Sequence, residues 1–599
     1  MQQENPEKIY QRRVEQLEAE EKKLLKQKSL FSLIRLTFAV FAIAALWKLW
    51  AFSIIVAFVV FFLLSGIFIA IVARDLQTKE ALENIRLLKT ICGKEIRILN
   101  HDFLHLPDGK ELCPAHHAYA QDLDLFGKAS LYQYINRTCS EQGQQRFANW
   151  LLNPSSAETI LQRQEAAASL IQKPEWGQQF RAYGFSHPVT VMGEQKINEW
   201  RHDKDPLQTR SWLRIFRIVF PLITISSLVL FIFSIIPGSL FTFFLILFFA
   251  VAASISKTFQ QQYTRLNKIV PELETLEQSI RMIENNSFES VLFKDLKNKL
   301  GDPTGTASNC IEQLKKILAR LDYRYNPIVY IPLNSFFLWD LQQIFALEQW
   351  RTKYQHQIPS WFDALAETEA LISLGTAAFN HPDWCFPKFS SDKYVFVANE
   401  MGHPLIPKFK RVNNSFSTLG AKQVNLITGS NMAGKSTFLR SVGVNIVLAM
   451  MGAPICCKEL TLSAMKVMSS MRVSDNLEEN TSTFYAELKK LKEIIEAVRR
   501  QDTVFILLDE ILRGTNSADR HAGSIALLKQ LLRENASCIV ATHDLELAKL
   551  SDEYPGNFHN FHFDVQVQNE ELYFDYKIKE GICQSMNASL LMKKIGIEL

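Results

Sequence analysis

The sequence predicts an α/β domain at the C-terminal end, preceded by an all-α region that two apolar helical hairpins interrupt. Three observations carry this expectation. From about Tyr394 short β-rich runs (Val395 to Val397, Val424 to Thr428, Val504 to Leu508, Cys538 to Ala541) alternate with helical stretches, the pattern of an α/β sheet. Residues 75–210 and 258–375 carry apolar side chains at helical spacing, broken by polar turns such as Asn153-Pro154 and Gly301 to Gly305. Two long apolar blocks stand out, Leu30 to Ala73, broken by Arg35 and Lys48, and Ile218 to Ser256, free of charge, a length of apolar sequence that a buried helix of a soluble domain seldom needs.

Composition narrows the class. Of the 599 residues 47% are hydrophobic and 21% charged, so the chain is neither disordered nor fibrous. A net charge of +4 is too slight to announce a nucleic-acid partner. The nine Cys are scattered without a C-x-x-C pair, which argues against a disulfide framework or structural zinc and fits a reducing compartment. Cys113 with His116 and His117 lacks a fourth ligand, so no structural metal is expected.

In chain order, residues 1–29 form a Glu/Lys/Arg-rich run that reads as a solvated helix. Residues 30–73 follow as a transmembrane hairpin turning at Lys48, each arm near the length that crosses a hydrocarbon core of about 30 Å. Residues 74–212 form a first helical part, 213–256 a second transmembrane hairpin turning at Pro237-Gly238, and 257–390 a second helical part. Ile328 to Trp339 is apolar but holds Pro332 and Asn334, and reads as core rather than a fifth span. Trp47, Trp50 and Phe241 read as lipid-facing or interfacial anchors. Lys22, Lys23, Lys26, Lys28 and Arg74 flank the first hairpin, and Arg210, Arg214, Arg217, Lys257 and Arg265 the second. The positive-inside rule then predicts a multi-pass protein of the cell inner or plasma membrane with its soluble domains in the cytoplasm.

Residues 391–599 hold the chemistry. Gly429-Ser430-Asn431-Met432-Ala433-Gly434-Lys435-Ser436-Thr437 fits G-x-x-x-x-G-K-[ST], follows the strand Val424 to Thr428 and opens a helix over Phe438 to Met450. That context separates a P-loop from an ordinary Gly-containing turn. Backbone N–H groups at a helix N-terminus then face phosphate oxygens, Lys435 neutralises the β/γ-phosphates, and Ser436 holds Mg²⁺. The strand Val504 to Leu508 ends in Asp509-Glu510, a carboxylate for the metal and one to orient or deprotonate water. The strand Cys538 to Ala541 delivers Thr542-His543, where an imidazole can contact the γ-phosphate or order the water.

Strand-tip Asp-Glu followed by strand-tip His is the order of ABC-class ATPases, whose sites close when two subunits sandwich ATP. An ABC transporter is one candidate, but no L-S-G-G-Q stretch lies between Lys435 and Asp509. The motifs instead resemble the MutS family of DNA mismatch-repair ATPases. Thr428 to Arg440 is close to T-G-x-N-M-[AG]-G-K-S-T-x-x-R, and Ser482 to Glu487 matches S-T-F-x-x-E. Asp509 to Thr515 matches D-E-x-x-R-G-T, Ala541 to His543 matches A-T-H, and Gly402-His403-Pro404 resembles R-H-P. Asn136 to Gly143, Trp150 to Pro154 and Arg163-Gln164 resemble the start of the family's lever region.

The resemblance implies an ABC-class P-loop ATPase domain preceded by an all-α lever region interrupted by transmembrane hairpins. It implies ATP binding through Gly429 to Thr437, metal ligation by Ser436 and Asp509, and catalysis by Glu510 and His543. Ser482 would reach the partner's γ-phosphate across a homodimer, and Arg411 stands where an aromatic residue often stacks on adenine. The family's mismatch-reading and connector domains have no match in this sequence, and residues 258–360, where a DNA clamp would lie, show no dense basic cluster. The expectation is a membrane-anchored, Mg²⁺-dependent ATP hydrolase whose dimer closure couples to possible DNA binding. The alternative is a transporter-like or membrane-remodelling ATPase without DNA.

Overall fold

The computed structural model describes residues 4–202, 211–302, 305–430, 433–472, 483–500, 502–568 and 571–583. The charged N-terminal run and the first apolar stretch form one helix, Pro6–Phe52, capped by the Asn5 side chain. A second helix, Ile54–Leu99, returns antiparallel along it, held by Glu21 to Arg86 at 2.8 Å and to Lys89 at 2.9 Å. The turn lies at Ser53, not at Lys48 as the sequence suggested. Lys48 stays helical and exposed, because its long stem carries the ammonium past apolar neighbours without breaking the helix. Ser53 alone takes extended backbone, and its carbonyl opens the second helix by accepting from Ala57 N at 3.0 Å.

The second hairpin pairs Trp212–Ile232 with Gly238–Asn267, and Pro237 starts the return arm as expected. Phe241 stacks on Phe231 within the hairpin, centroids 4.4 Å apart, instead of facing outward. Among the described residues four helices are long and apolar enough to cross a membrane. The run expected as core, Ile328 to Trp339, begins as a helix, Pro327–Phe337, that lies on this hairpin with Ile328, Val329, Ile331 and Phe337 exposed. Its polar residues, not its apolar ones, turn inward.

The remaining helices ahead of Lys388 form an all-α region. Ile358–Asn380 packs on Glu141–Leu152 and Ala157–Ile171 and runs on towards the α/β domain. A buried polar junction ties the first hairpin to it. Glu95 accepts from Arg137 Nε at 2.8 Å, Arg181 Nη1 at 2.7 Å and Asn380 Nδ2 at 2.9 Å, and the Tyr10 hydroxyl donates to Asn380 Oδ1.

The α/β domain holds a six-stranded sheet in the order Glu571–Glu580, Phe558–Gln568, Gln423–Thr428, Ser537–Ala541, Val504–Asp509, Lys466–Ser470. All neighbours are parallel except the antiparallel first pair. Val504 to Leu508 and Cys538 to Ala541 are fully buried, as parallel strands covered on both faces must be. A four-stranded sheet (Lys388–Ser390, Glu459–Ser463, Val395–Met401, Asn414–Leu419) lies beside it. The helix Lys435–Met451 packs between them, Phe438 meeting Phe416 at 5.6 Å and Phe563 at 5.9 Å. The central parallel strands therefore end side by side at Thr428, Asp509 and Ala541, where the motif residues follow.

Candidate functional site

The P-loop leaves the strand Gln423–Thr428 through Gly429 at φ 146°. A Cβ there would stand 2.9 Å from the Phe563 carbonyl, so only glycine fits the passage between strand and loop. Gly434, at φ 103°, caps the helix that begins at Lys435. The helix thus starts three residues before the expected Phe438, because the Gly-capped turn presents Lys435 in its first position. Asn431 and Met432, expected to bind nucleotide, lie outside the described residues. Ser430 and the buried Ala433 complete the observed loop, with Ser436 half-buried and Thr437 exposed behind it.

Lys435 folds back over the loop. Its ammonium donates to the carbonyls of Gly429 at 2.8 Å and Ser430 at 3.0 Å and lies 3.3 Å from His543 Nε2. Burial lowers its affinity for the proton, partly offset by Glu510 and Asp509. His543 Nε2 is 2.8 Å from Glu510 Oε1, and Arg513 Nε is 3.0 Å from Glu510 Oε2. Contact with His543 above all, with Arg513 and Lys435 adding to it, holds the Glu510 carboxyl below its ordinary range although burial opposes this. Glu510 sits at φ 52°, a conformation non-glycine residues rarely adopt, fixed by its N–H donating to the Ala541 carbonyl at 2.9 Å. The chain thus bends so that Asp509 and Glu510 serve different partners.

Asp509 is buried, and its Oδ1 has no hydrogen-bond partner among the described residues. A buried carboxylate oxygen left unpaired is costly, and one close to the P-loop lysine fits a divalent cation. Lys435, Ser436, Asp509, Glu510 and His543, widely separated in sequence, thus cluster around the P-loop. Ser482 lies outside the described residues, but the helix that follows it, Thr483–Arg499, does not.

Several contacts were not legible in the sequence. Glu487, from the S-T-F-x-x-E stretch, accepts from the Leu512 N–H, and a Cβ on Gly514 would fall 2.6 Å from Phe484 Cβ. The S-T-F-x-x-E and D-E-x-x-R-G-T motifs therefore interlock in one subunit. Burial raises the Glu487 carboxyl above its ordinary range. Asp122, from the segment ahead of the lever, is 1% exposed and accepts from Ser469 Oγ at 2.7 Å, the N–H groups of Met471 and Arg472 at 3.2 Å, and Lys490 Nζ at 2.6 Å. Its neighbour Asp124 pairs with Arg440 of the P-loop helix at 3.3 Å. No local signal could have found a bond spanning 347 positions.

Arg411 is committed elsewhere, to Asp383 at 3.3 Å and Asn413 at 3.2 Å, while His403 is buried and its imidazole pushed down to about 4. Tyr576 of the last strand instead reaches the P-loop, its ring edge 3.1 Å from where a Gly434 Cβ would stand. His117, weighed in the sequence beside Cys113, is engaged by the Leu152 carbonyl at 3.1 Å.

A parallel sheet carrying a P-loop, a strand-tip Asp-Glu pair and a strand-tip His beside it defines an ATPase-type α/β domain. Residues 425–594 match MutS domain V, the ATPase domain of the MutS family. The chain is 30% identical to human MutS protein homolog 4 over 39% of its own length and 25% of that protein's. It is 28% identical to the DNA mismatch repair protein MutS of Thermotoga neapolitana over 38% of this chain and 28% of that one. With the DNA mismatch repair protein MutS of Aquifex pyrophilus it shares 27% identity over 76% of its length and 56% of the relative's. The similarity to MutS proteins is thus anchored in residues 425–594, and the chain spans between about a quarter and about half of the relatives it matches.

Proposed function

We propose that this chain is a membrane-anchored MutS-like ATPase in which two copies clasp ATP and their closure moves the helical levers. The observation that carries the reading is the joining of Lys435, His543 and Glu510 in one contact chain beside the orphaned Asp509 Oδ1. With ATP present, Lys435 exchanges the Gly429 and Ser430 carbonyls for phosphate oxygens, and the loop N–H groups at the helix N-terminus hold the rest. Ser436 and Asp509 would hold Mg²⁺, which supplies charge neutralisation at the phosphates. Glu510, kept ionised by His543 and Arg513, accepts the proton of the attacking water, and His543 donates to the γ-phosphate. Ser482 completes the opposite subunit's site, so a monomer hydrolyses slowly.

The four apolar helices anchor the molecule with the lever and ATPase regions on the cytoplasmic side, supported by the basic residues that flank them. Replacing Glu510 with Gln tests the chemistry: ATP binding should persist and turnover should vanish, whereas unchanged turnover removes Glu510 from the mechanism. DNA binding by the detergent-solubilised protein, titrated at two salt concentrations, tests the family's substrate. Affinity that falls steeply with salt supports DNA contact. ATP hydrolysis with no salt-dependent DNA affinity supports the membrane ATPase that works without DNA.

A further inference from the structure

The helix Pro327–Phe337 is built inside out for a helix facing water. On its inner side the Asn334 side chain, 1% exposed, donates to Ser256 Oγ at 3.1 Å and to the Tyr330 hydroxyl at 3.0 Å. Tyr330 in turn donates to Asp340 Oδ2 at 2.9 Å, and the Phe336 carbonyl accepts from Thr224 Oγ1 at 2.7 Å. On its outer side Ile328 is 86% exposed, with the exposed Val329 and Ile331 flanking it on the same face. In water this arrangement hides the groups that hydration favours and displays those that it does not.

Its neighbours identify the solvent. The helix packs on both arms of the second apolar hairpin, through Thr224 on one and Ser256 on the other. Ser256 adjoins Lys257, the first charge after the apolar block, and Thr224 lies seven residues beyond Arg217, about 10 Å along the helix. The outer face therefore continues the exposed apolar surface of the hairpin from its charged boundary inward. Eleven residues rise only about 16 Å, half the hydrocarbon thickness. Tyr325 is exposed at one end, and Tyr323 stacks on Trp339 at 5.9 Å where the helix begins and ends, the amphipathic ring chemistry of a headgroup boundary.

We propose that Pro327–Phe337 is a fifth membrane element, seated in the cytoplasmic leaflet with Ile328, Val329 and Ile331 against acyl chains. The inference rests on the reading that the second hairpin spans the bilayer. It adds a direct link from lipid to lever, because after Leu338 at φ 49° the chain turns straight into Trp339–Tyr354. That helix is fixed in the lever core by Trp350, 6.0 Å from both Trp200 and Trp361.

The test uses the full chain in phosphatidylcholine–phosphatidylglycerol nanodiscs, nitroxide-labelled at Ile328→Cys or Ile331→Cys, with the unsubstituted protein as background. Ile232→Cys on the hairpin and Leu419→Cys on the smaller sheet serve as lipid and water references, both being exposed positions. Collisions with oxygen should exceed those with a water-soluble nickel chelate several-fold at 328 and 331, as at 232. Nickel access equal to that at 419, or exclusion of both reagents by a second protein copy, overturns the fifth element while a lipid-like 232 leaves the spanning hairpin standing. Nickel access at 232 overturns the spanning reading and this inference with it.

Discussion

Glu369 shows how one residue makes stability depend on pH. Burial drives its carboxyl up to about 7, against hydrogen bonds from Ser140 and the Cys139 N–H. Unfolded, it ionises near its ordinary 4.5, so between those values the folded chain holds a proton that the unfolded chain releases. This contribution is complete below about 4.5 and is lost as pH rises through 7. Thermal melts at pH 5 and pH 8 should show a larger drop for the wild type than for Glu369→Gln; equal drops remove Glu369 as the source. Glu510 has the opposite sign: its lowered range keeps the base ionised, so ATPase activity should persist at pH values where an unassisted carboxylate is already protonated. His543→Ala, which removes the main cause, should move the acid limb of the rate profile upward. Tyr576 brings its ring edge to Gly434 of the P-loop, and an aromatic contact with a base is worth about 1–3 kcal/mol. Tyr576→Ala should therefore raise the KM for ATP roughly tenfold with kcat little changed.

Among the elements, the loop holding Asp122 does more than connect. It fastens Ser469 to Arg472, ahead of the segment that includes Ser482, and Lys490 on the helix beyond it. Asp122→Asn keeps the shape and removes the charge, leaving Lys490 underpaired at about 1–3 kcal/mol. Steady-state kinetics should show kcat reduced several-fold and the KM for ATP within about twofold, because the P-loop itself is untouched; unchanged kcat would detach the loop from catalysis. Elements were legible in the sequence where one local rule fixes them. The P-loop strand, the two strands ending in Asp509 and Ala541, and the break before Gly238 follow from alternation, burial and Gly or Pro chemistry. Asp122 with Ser469 and Glu487 with Leu512 were not, since contacts between distant segments leave no periodicity. Ile328 to Trp339 misled for another reason. Composition says that a side chain avoids water, not whether protein or lipid receives it. The turn at Lys48 failed because a charged residue with a long stem can remain helical among apolar neighbours, whereas Ser53 simply leaves the helix.

For the whole molecule, Glu95 is the joint through which the first hairpin meets the helical region that follows it. Arg137 and Arg181 are both buried against it, and removing one partner of such a cluster typically costs about 3–5 kcal/mol. Glu95→Gln should lower the urea midpoint accordingly and expose the hairpin Pro6–Leu99 to protease while the P-loop domain still binds ATP. Protection equal to that of the wild type would mean that the helices dock without it. The two helices anchored at this joint run 47 and 46 residues with Ser53 as their only interruption. At 1.5 Å per residue each measures about 70 Å, so a swing of about 5° at the joint sweeps the far tip through about 6 Å. Such a boom turns a slight rotation at its base into a far-end displacement of about one helical turn.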